Sequence, residues 1–149
     1  MIMKPMNNQR SKLGNIPQVK DGIRFDSKWE LKVFETIVSV FGKDKFSVHE
    51  KVLIKPPTKH YKASYWKCDF IVGRGSNLLY IDAKGMITRD FKRQMQMLDI
   101  YSHNIVSNVR IVTQVPVRVD EYIKSISLDD LKKELIFLKS QIKHIYGEA

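Results

Sequence analysis

Apolar positions along the chain fall into two rhythms, one of three to four residues and one of two. Trp29, Val33, Ile37 and Val40 recur at helical spacing, with Leu31, Phe34 and Phe41 widening the stripe. They predict a helix that Asp26 or Ser27 caps and Gly42 stops. Residues 46–54 are rich in strand formers and run into Pro56-Pro57, which closes a strand. After a loop over 58–64, residues 65–72 and 78–83 read as two strands joined through the turn 73–77, making a hairpin. Residues 88–101 return to helical spacing through Phe91, Met95 and Leu98, and 109–113 form a further strand. Ser127-Leu-Asp-Asp130 resembles a capping box with Asp in place of Glu. Leu128, Leu131, Leu135, Leu138, Ile142 and Ile145 then mark the clearest helix in the chain. Helix, three strands, helix, strand, helix is the order of an α/β domain with a mixed central sheet flanked by helices.

The flanks differ from this core. Residues 1–24 are polar and lack sustained periodicity, with Lys4, Arg10, Lys12, Lys20 and Arg24 against the single acid Asp21. They predict a flexible basic arm, followed by a core over 25–126 and a C-terminal amphipathic helix over 127–149. The C-terminal stripe is too short for a confident coiled coil, so it serves either packing on the domain's own sheet or dimerisation. Both alternatives stay open from the sequence.

Composition narrows the function. With 43% apolar residues in 149, the chain has material for one buried core. Twenty-six Lys and Arg against 16 Asp and Glu leave a net charge of +10, which points to a polyanionic partner, nucleic acid first. No apolar run approaches the ~20 residues of a membrane span, and the N-terminus lacks the apolar stretch of a secretory signal. Cys68 is the only cysteine, so no internal disulfide forms, in keeping with a reducing cytoplasm. A Gly-rich phosphate-binding loop is also missing, and no nucleotide cofactor is expected.

Candidate chemistry lies in the hairpin. Asp69 sits in one strand and Asp82-Ala83-Lys84 closes the other. Alternation projects Tyr80, Asp82 and Lys84 together, and a suitable register sets Asp69 across from Asp82. Two carboxylates so close repel each other unless a cation or a proton lies between them, and Mg²⁺ prefers such oxygens. Such a site supports phosphodiester hydrolysis, with Lys84 orienting water and steadying charge on the phosphate. Glu30, early in the first helix beside core-facing Trp29 and Val33, adds a third carboxylate if that helix packs beside the sheet.

Phe25-Asp-Ser-Lys-Trp-Glu30, Asp69-Phe70 and Ile81-Asp-Ala-Lys-Gly-Met-Ile-Thr88 stand in the order of a known pattern. They resemble the active site of the PD-(D/E)xK, or restriction-endonuclease-like, nucleases. The nearer likeness is to small phage endonucleases, the junction-resolving endonuclease I type among them. It spans roughly residues 25 to 113. The resemblance implies a single restriction-endonuclease-like domain with Asp69 and Asp82 as metal ligands, helped by the Ala83 carbonyl. It implies Glu30 as a ligand directly or through water, and Lys84 as the catalytic lysine. The cofactor would be Mg²⁺, with Mn²⁺ able to substitute. Cys68 stands where the motif's name has Pro, and Gln94 stands where similar proteins often carry Lys. Gln94 and Ser27 are candidates for supporting the site.

The activity so implied is a Mg²⁺-dependent endodeoxyribonuclease, phage-encoded and acting on branched DNA in recombination or processing within a bacterial host. A sequence-specific homing or restriction-type enzyme is the alternative within the class. A non-catalytic DNA-binding protein on the same fold is the alternative outside it. Cutting two strands would call for a homodimer or higher oligomer.

A binding surface is also legible. From Lys51 to Cys68 there are no acids, while Lys51, Lys55, Lys59, Lys62 and Lys67 interleave with Tyr61, Tyr65 and Trp66. Lysines neutralise phosphates and aromatic faces stack on unpaired bases. Trp66 and Tyr65 equally suit the core. Arg89, Lys92 and Arg93 continue the basic track into the second helix. His49, His60, His103 and His144 show no pair at ligand spacing, so zinc is not expected. Cys68, alternating with Trp66 and Phe70, is expected to be buried.

Overall fold

Ser27 starts the first helix: its Oγ accepts the Glu30 N–H at 3.1 Å, and helix α1 runs Lys28–Phe41 to Gly42. The computed structural model describes residues 16–121 and 123–147. Two short strands, β1 (Gln18–Lys20) and β2 (Ile23–Phe25), precede α1. After it come β3 (Ser47–Lys55), β4 (Ser64–Arg74) and β5 (Asn77–Ala83), then α2 (Arg89–Tyr101) and the single-turn α3 (His103–Val106). Strand β6 (Val109–Val112), the short pair β7 (Arg118–Asp120) and β8 (Ile123–Lys124), and α4 (Leu128–Tyr146) complete the chain.

The central sheet has four strands in the order β3-β4-β5-β6. The first three pair antiparallel, and β6 joins β5 in parallel after the crossover through α2 and α3, so the sheet is mixed. The β4–β5 turn needs Gly73 at φ +123, where a Cβ would meet the Asn77 carbonyl oxygen at 2.0 Å. Helices α1 and α4 cover one face, burying Phe25, Val33, Phe34, Ile37, Phe70 and Leu135 in one cluster. Helix α2 covers the other, with Phe91, Met95 and Leu98 against Val52, Trp66 and Ile111.

One expectation about the flanks changes, and one of two open alternatives is seen. The end of the supposed arm is structured: β1 and β2 pair antiparallel, Ile23 packs on the α1 core, and Lys20 and Lys43 form ion pairs with Glu35 and Asp21. Gly22 at φ +79 and Asp21 at φ 54 make the tight turn that polar composition disguised. Residues 1–15 lie outside the described residues. In α4, Leu131, Leu135, Leu138 and Ile142 are buried in the same cluster as α1, while Ile145 is exposed. The stripe therefore packs on its own domain. Among the described residues no helix is long and apolar enough to cross a membrane.

One irregularity in the sheet positions the polar cluster. Strict alternation would put Trp66, Cys68, Phe70 and Val72 on one face of β4. Instead Trp66 and Cys68 pack under α2, while Phe70 and Val72 pack under α1 and α4. Strand β3 switches in step, with Val48 on the α1 side and Val52 on the α2 side. The switch falls at His49, whose φ is +56, opposite Asp69 in a register that skips both residues. The register is the same on either side, Val48↔Phe70 and Glu50↔Cys68, so His49 and Asp69 leave the ladder as an opposed pair and the alternation of faces breaks there.

Candidate functional site

At the switch the β4–β5 ladder stops at Phe70↔Ile81. Beyond it the Ala83 N–H has no strand partner and donates to Asp69 Oδ2 at 2.8 Å. The carbonyl of a strand residue shares an edge with its N–H, so the Ala83 oxygen faces the same gap. A carboxylate thus takes the place of a ladder bond where two strands part.

Other groups reach this gap from both faces of the sheet. On the α1 side, Glu30, His49 and Asp69 each offer a ligand atom within 4.8 Å of the others. Glu30 is buried, accepting the Asp26 N–H at 2.7 Å through Oε1 and facing His49 Nε2 at 2.7 Å through Oε2. On the α2 side, Asp82 is 1% exposed; its Oδ2 accepts the Trp66 indole N–H at 2.9 Å, and its Oδ1 lies 3.0 Å from Lys84 Nζ. Lys84 Nζ also sits 4.4 Å from the centroid of the Phe91 ring. Asp69 stands between: a carboxylate oxygen lies within 4.8 Å of one on Glu30, and the charge of Asp82 acts on it from the other side. Asp69 and Asp82, expected across from each other on paired strands, instead meet from opposite faces through the gap between their strands.

The electrostatics follow from this crowding. Burial, then Asp82, then Glu30 push the Asp69 carboxyl well above the usual carboxylate range. Burial also raises Asp82, against the opposing pull of Lys84 and the Trp66 hydrogen bond. Burial works to raise Glu30 too, but His49 and the Asp26 N–H outweigh it and leave Glu30 lowered. Lys84 is pushed down by burial and up more strongly by Asp82 and Asp69, so it stays a cation. Three acids share one ammonium and one imidazole. The arrangement accommodates further positive charge.

No protein-family model matches the chain, and comparisons with curated proteins and with solved structures yield no match.

The structure brings together Glu30, Asp69, Asp82 and Lys84, and adds His49. Nothing local in the sequence pointed to His49, because its partners lie nineteen and twenty positions away, on α1 and on β4, and meet it only through the fold. Ser27 acts as the helix cap, fixing the turn that carries Glu30. Gln94 is half-buried on α2 and makes no hydrogen bond to the group among the described residues. Trp66 is 2% exposed and bound to Asp82, so it is withdrawn from base stacking and serves the carboxylate instead.

The basic residues divide. Lys51, Lys59, Lys62 and Lys67 are exposed on or near the β3–β4 hairpin, with Lys55 half-buried. Arg89 and Arg93 are exposed on α2. Lys92 turns into a cleft of about 410 Å³ shared with Asp99, Asp120 and Glu121, whose charges disfavour phosphate.

Removing the imidazole separates its two possible duties. Imidazole suits transition metals such as Mn²⁺ better than it suits Mg²⁺. In His49→Gln, a ligand role predicts that metal affinity, read by titration calorimetry, falls more for Mn²⁺ than for Mg²⁺. An orienting role through Glu30 predicts an equal loss for both, on the order of 10–100-fold.

Proposed function

We propose that the chain is a divalent-metal-dependent endodeoxyribonuclease with a PD-(D/E)xK-type site, acting on DNA of branched or processed form. The observation that carries this reading is the meeting of Glu30, Asp69, Asp82 and Lys84 from one helix and two strands at the gap between β4 and β5. The donor set fits a hard cation: three carboxylates, one of them the buried Asp82 beside the Lys84 ammonium, and the Ala83 edge carbonyl. Asp69 and Asp82 would hold the ion, with Glu30 and His49 completing the shell on the α1 side. Mg²⁺ or Mn²⁺ bound there would polarise a phosphate and lower the pKa of water.

The chain's own residues supply the rest. Asp69 is fixed by the Ala83 N–H, and Asp82 by the Trp66 indole, so neither carboxylate has to reorganise when substrate arrives. Lys84 keeps its ammonium at the site, where it faces charge developing on the phosphate. Stacked on Phe91, that ammonium is held against one direction of approach. His49 steadies Glu30 from β3.

A second reading has its own support. Glu30 is satisfied within the protein by Asp26 and His49, and its place three residues after Ser27 is that of a capping-box acid. A DNA-binding protein that does not cut would keep this arrangement for stability. A cleavage panel decides between them: linear duplex, single strand, flap and four-way junction, each with Mg²⁺ or Mn²⁺. The nuclease reading expects cuts that EDTA and Asp82→Ala abolish, with DNA binding retained by the variant. Wild-type protein that binds and never cuts any member of the panel supports the non-catalytic reading.

A further inference from the structure

The β3–β4 hairpin extends beyond the point where helices cover the sheet, and one of its faces is open. Lys51 and Leu53 on β3, and Tyr65 and Lys67 on β4, alternate onto the face opposite buried Val52, Trp66 and Cys68, and His49 and Asp69 follow beside Glu30 where that alternation breaks. The cross-strand pairs on this face are Lys51↔Lys67 and Leu53↔Tyr65. Leu53 is 44% exposed, Tyr65 51%, and Tyr61 at the hairpin's end 71%. Lysine stems lie over the rings: Lys51 Nζ is 5.9 Å from the Tyr65 centroid, and Lys55 Nζ 5.8 Å from that of Tyr61. Alternating ring and ammonium therefore run in file towards Asp69. Tyr65, four residues up the strand, stands roughly 13 Å from it.

We propose that this file is a platform for single-stranded DNA, which it feeds to the Asp69 end. The inference rests on the nuclease reading only for what happens there. The occupant follows from the side chains. A segment without acids between Lys51 and Cys68 complements a phosphate backbone. A two-stranded ribbon also fits the major groove of a duplex, where lysine reads guanine edges as arginine does, so the lysines serve either form and the exposed rings decide between them. Exposed tyrosine rings find partners in unpaired bases, whereas a duplex stacks its bases on each other. Platform and site together select DNA with an unpaired strand next to the cut, a flap or a splayed branch.

The test is binding, by fluorescence anisotropy, of the full chain to an oligo-dT and to a mixed-sequence duplex of equal length. It is run in EDTA and in Ca²⁺ so that no cleavage intervenes. The single strand is expected to bind more tightly. Tyr61→Ala with Tyr65→Ala should weaken it about tenfold or more while changing duplex affinity little. Tyr61→Phe with Tyr65→Phe should restore it, and circular dichroism reports whether the variants fold. A duplex that binds as well as the single strand, or alanine variants that bind oligo-dT like wild type, overturns the platform. Protein that binds single strands through these tyrosines yet cuts nothing leaves the platform standing and removes the nuclease reading. Protein that cuts duplex and ignores single strands does the reverse.

Discussion

Asp69→Asn is expected to lose metal-dependent cleavage and, without metal, to melt at a higher temperature than the wild type. Asn keeps the oxygen that accepts the Ala83 N–H and is nearly the same shape, so the strand gap survives. What disappears is one of three converging carboxylates. The rate should fall about a thousandfold or more, the scale on which losing one pre-organised charge acts in such sites. Stability should move the other way. In the folded chain Asp69 and Asp82 hold their protons more tightly than their ordinary value of 3.8. Each therefore costs stability once ionised, and that cost grows as pH rises above 3.8 through the raised folded values. Glu30 has the opposite sign: its lowered carboxyl contributes stability above 4.5 that is lost as pH falls. Two raised acids against one lowered acid predict that metal-free wild type loses stability from mildly acid towards neutral pH. Asp69→Asn flattens that slope, and Mg²⁺ flattens it in the wild type. Scanning calorimetry across pH, with and without metal, checks both. A variant less stable than wild type at neutral pH would mean that the three acids are not in conflict.

Lys84→Ala carries the second large effect. It strips Asp82 of its only ion-pair partner among the described residues, at a carboxylate 1% exposed. A buried charge left in this way costs about 3–5 kcal/mol. Asp82→Asn added to Lys84→Ala removes the stranded charge and should recover most of that stability in urea unfolding. Activity should not return with it. The single variant is expected to cut about 10²–10³-fold more slowly and the double variant more slowly still. A Lys84→Ala protein as stable as wild type would show that solvent already screens Asp82. One that also cuts normally would take Lys84 out of the chemistry.

How much of this was legible beforehand depended on whether the signal was local. Helices α1, α2 and α4 declared themselves through apolar spacing, α1 and α4 also through Ser27 and Ser127; these two serines and Thr88 cap the three helices in the structure. Asp69, Asp82 and Lys84 were visible because one hairpin carries them. Glu30 was visible because a charge beside Trp29 and Val33 needs a partner. The β1–β2 pair escaped because strands of three residues leave too little pattern among Lys20, Asp21 and Arg24. The half-turn of faces at His49 and Asp69 escaped for a different reason. Alternation assumes a regular pleat, and the residue with φ +56 is a histidine rather than the glycine that would have marked it. The role of Trp66 was hidden likewise: an indole on a strand reads as core until its N–H is found on Asp82.

Crystals of the protein soaked in Mn²⁺, with data collected at the manganese absorption edge, ask whether a divalent ion belongs in the gap between β4 and β5. The expected result is an anomalous peak between Asp69 and Asp82, with Glu30 or His49 in its shell, which disappears in Asp69→Asn. Manganese found only elsewhere, or a gap that holds no ion at saturating metal, would contradict it.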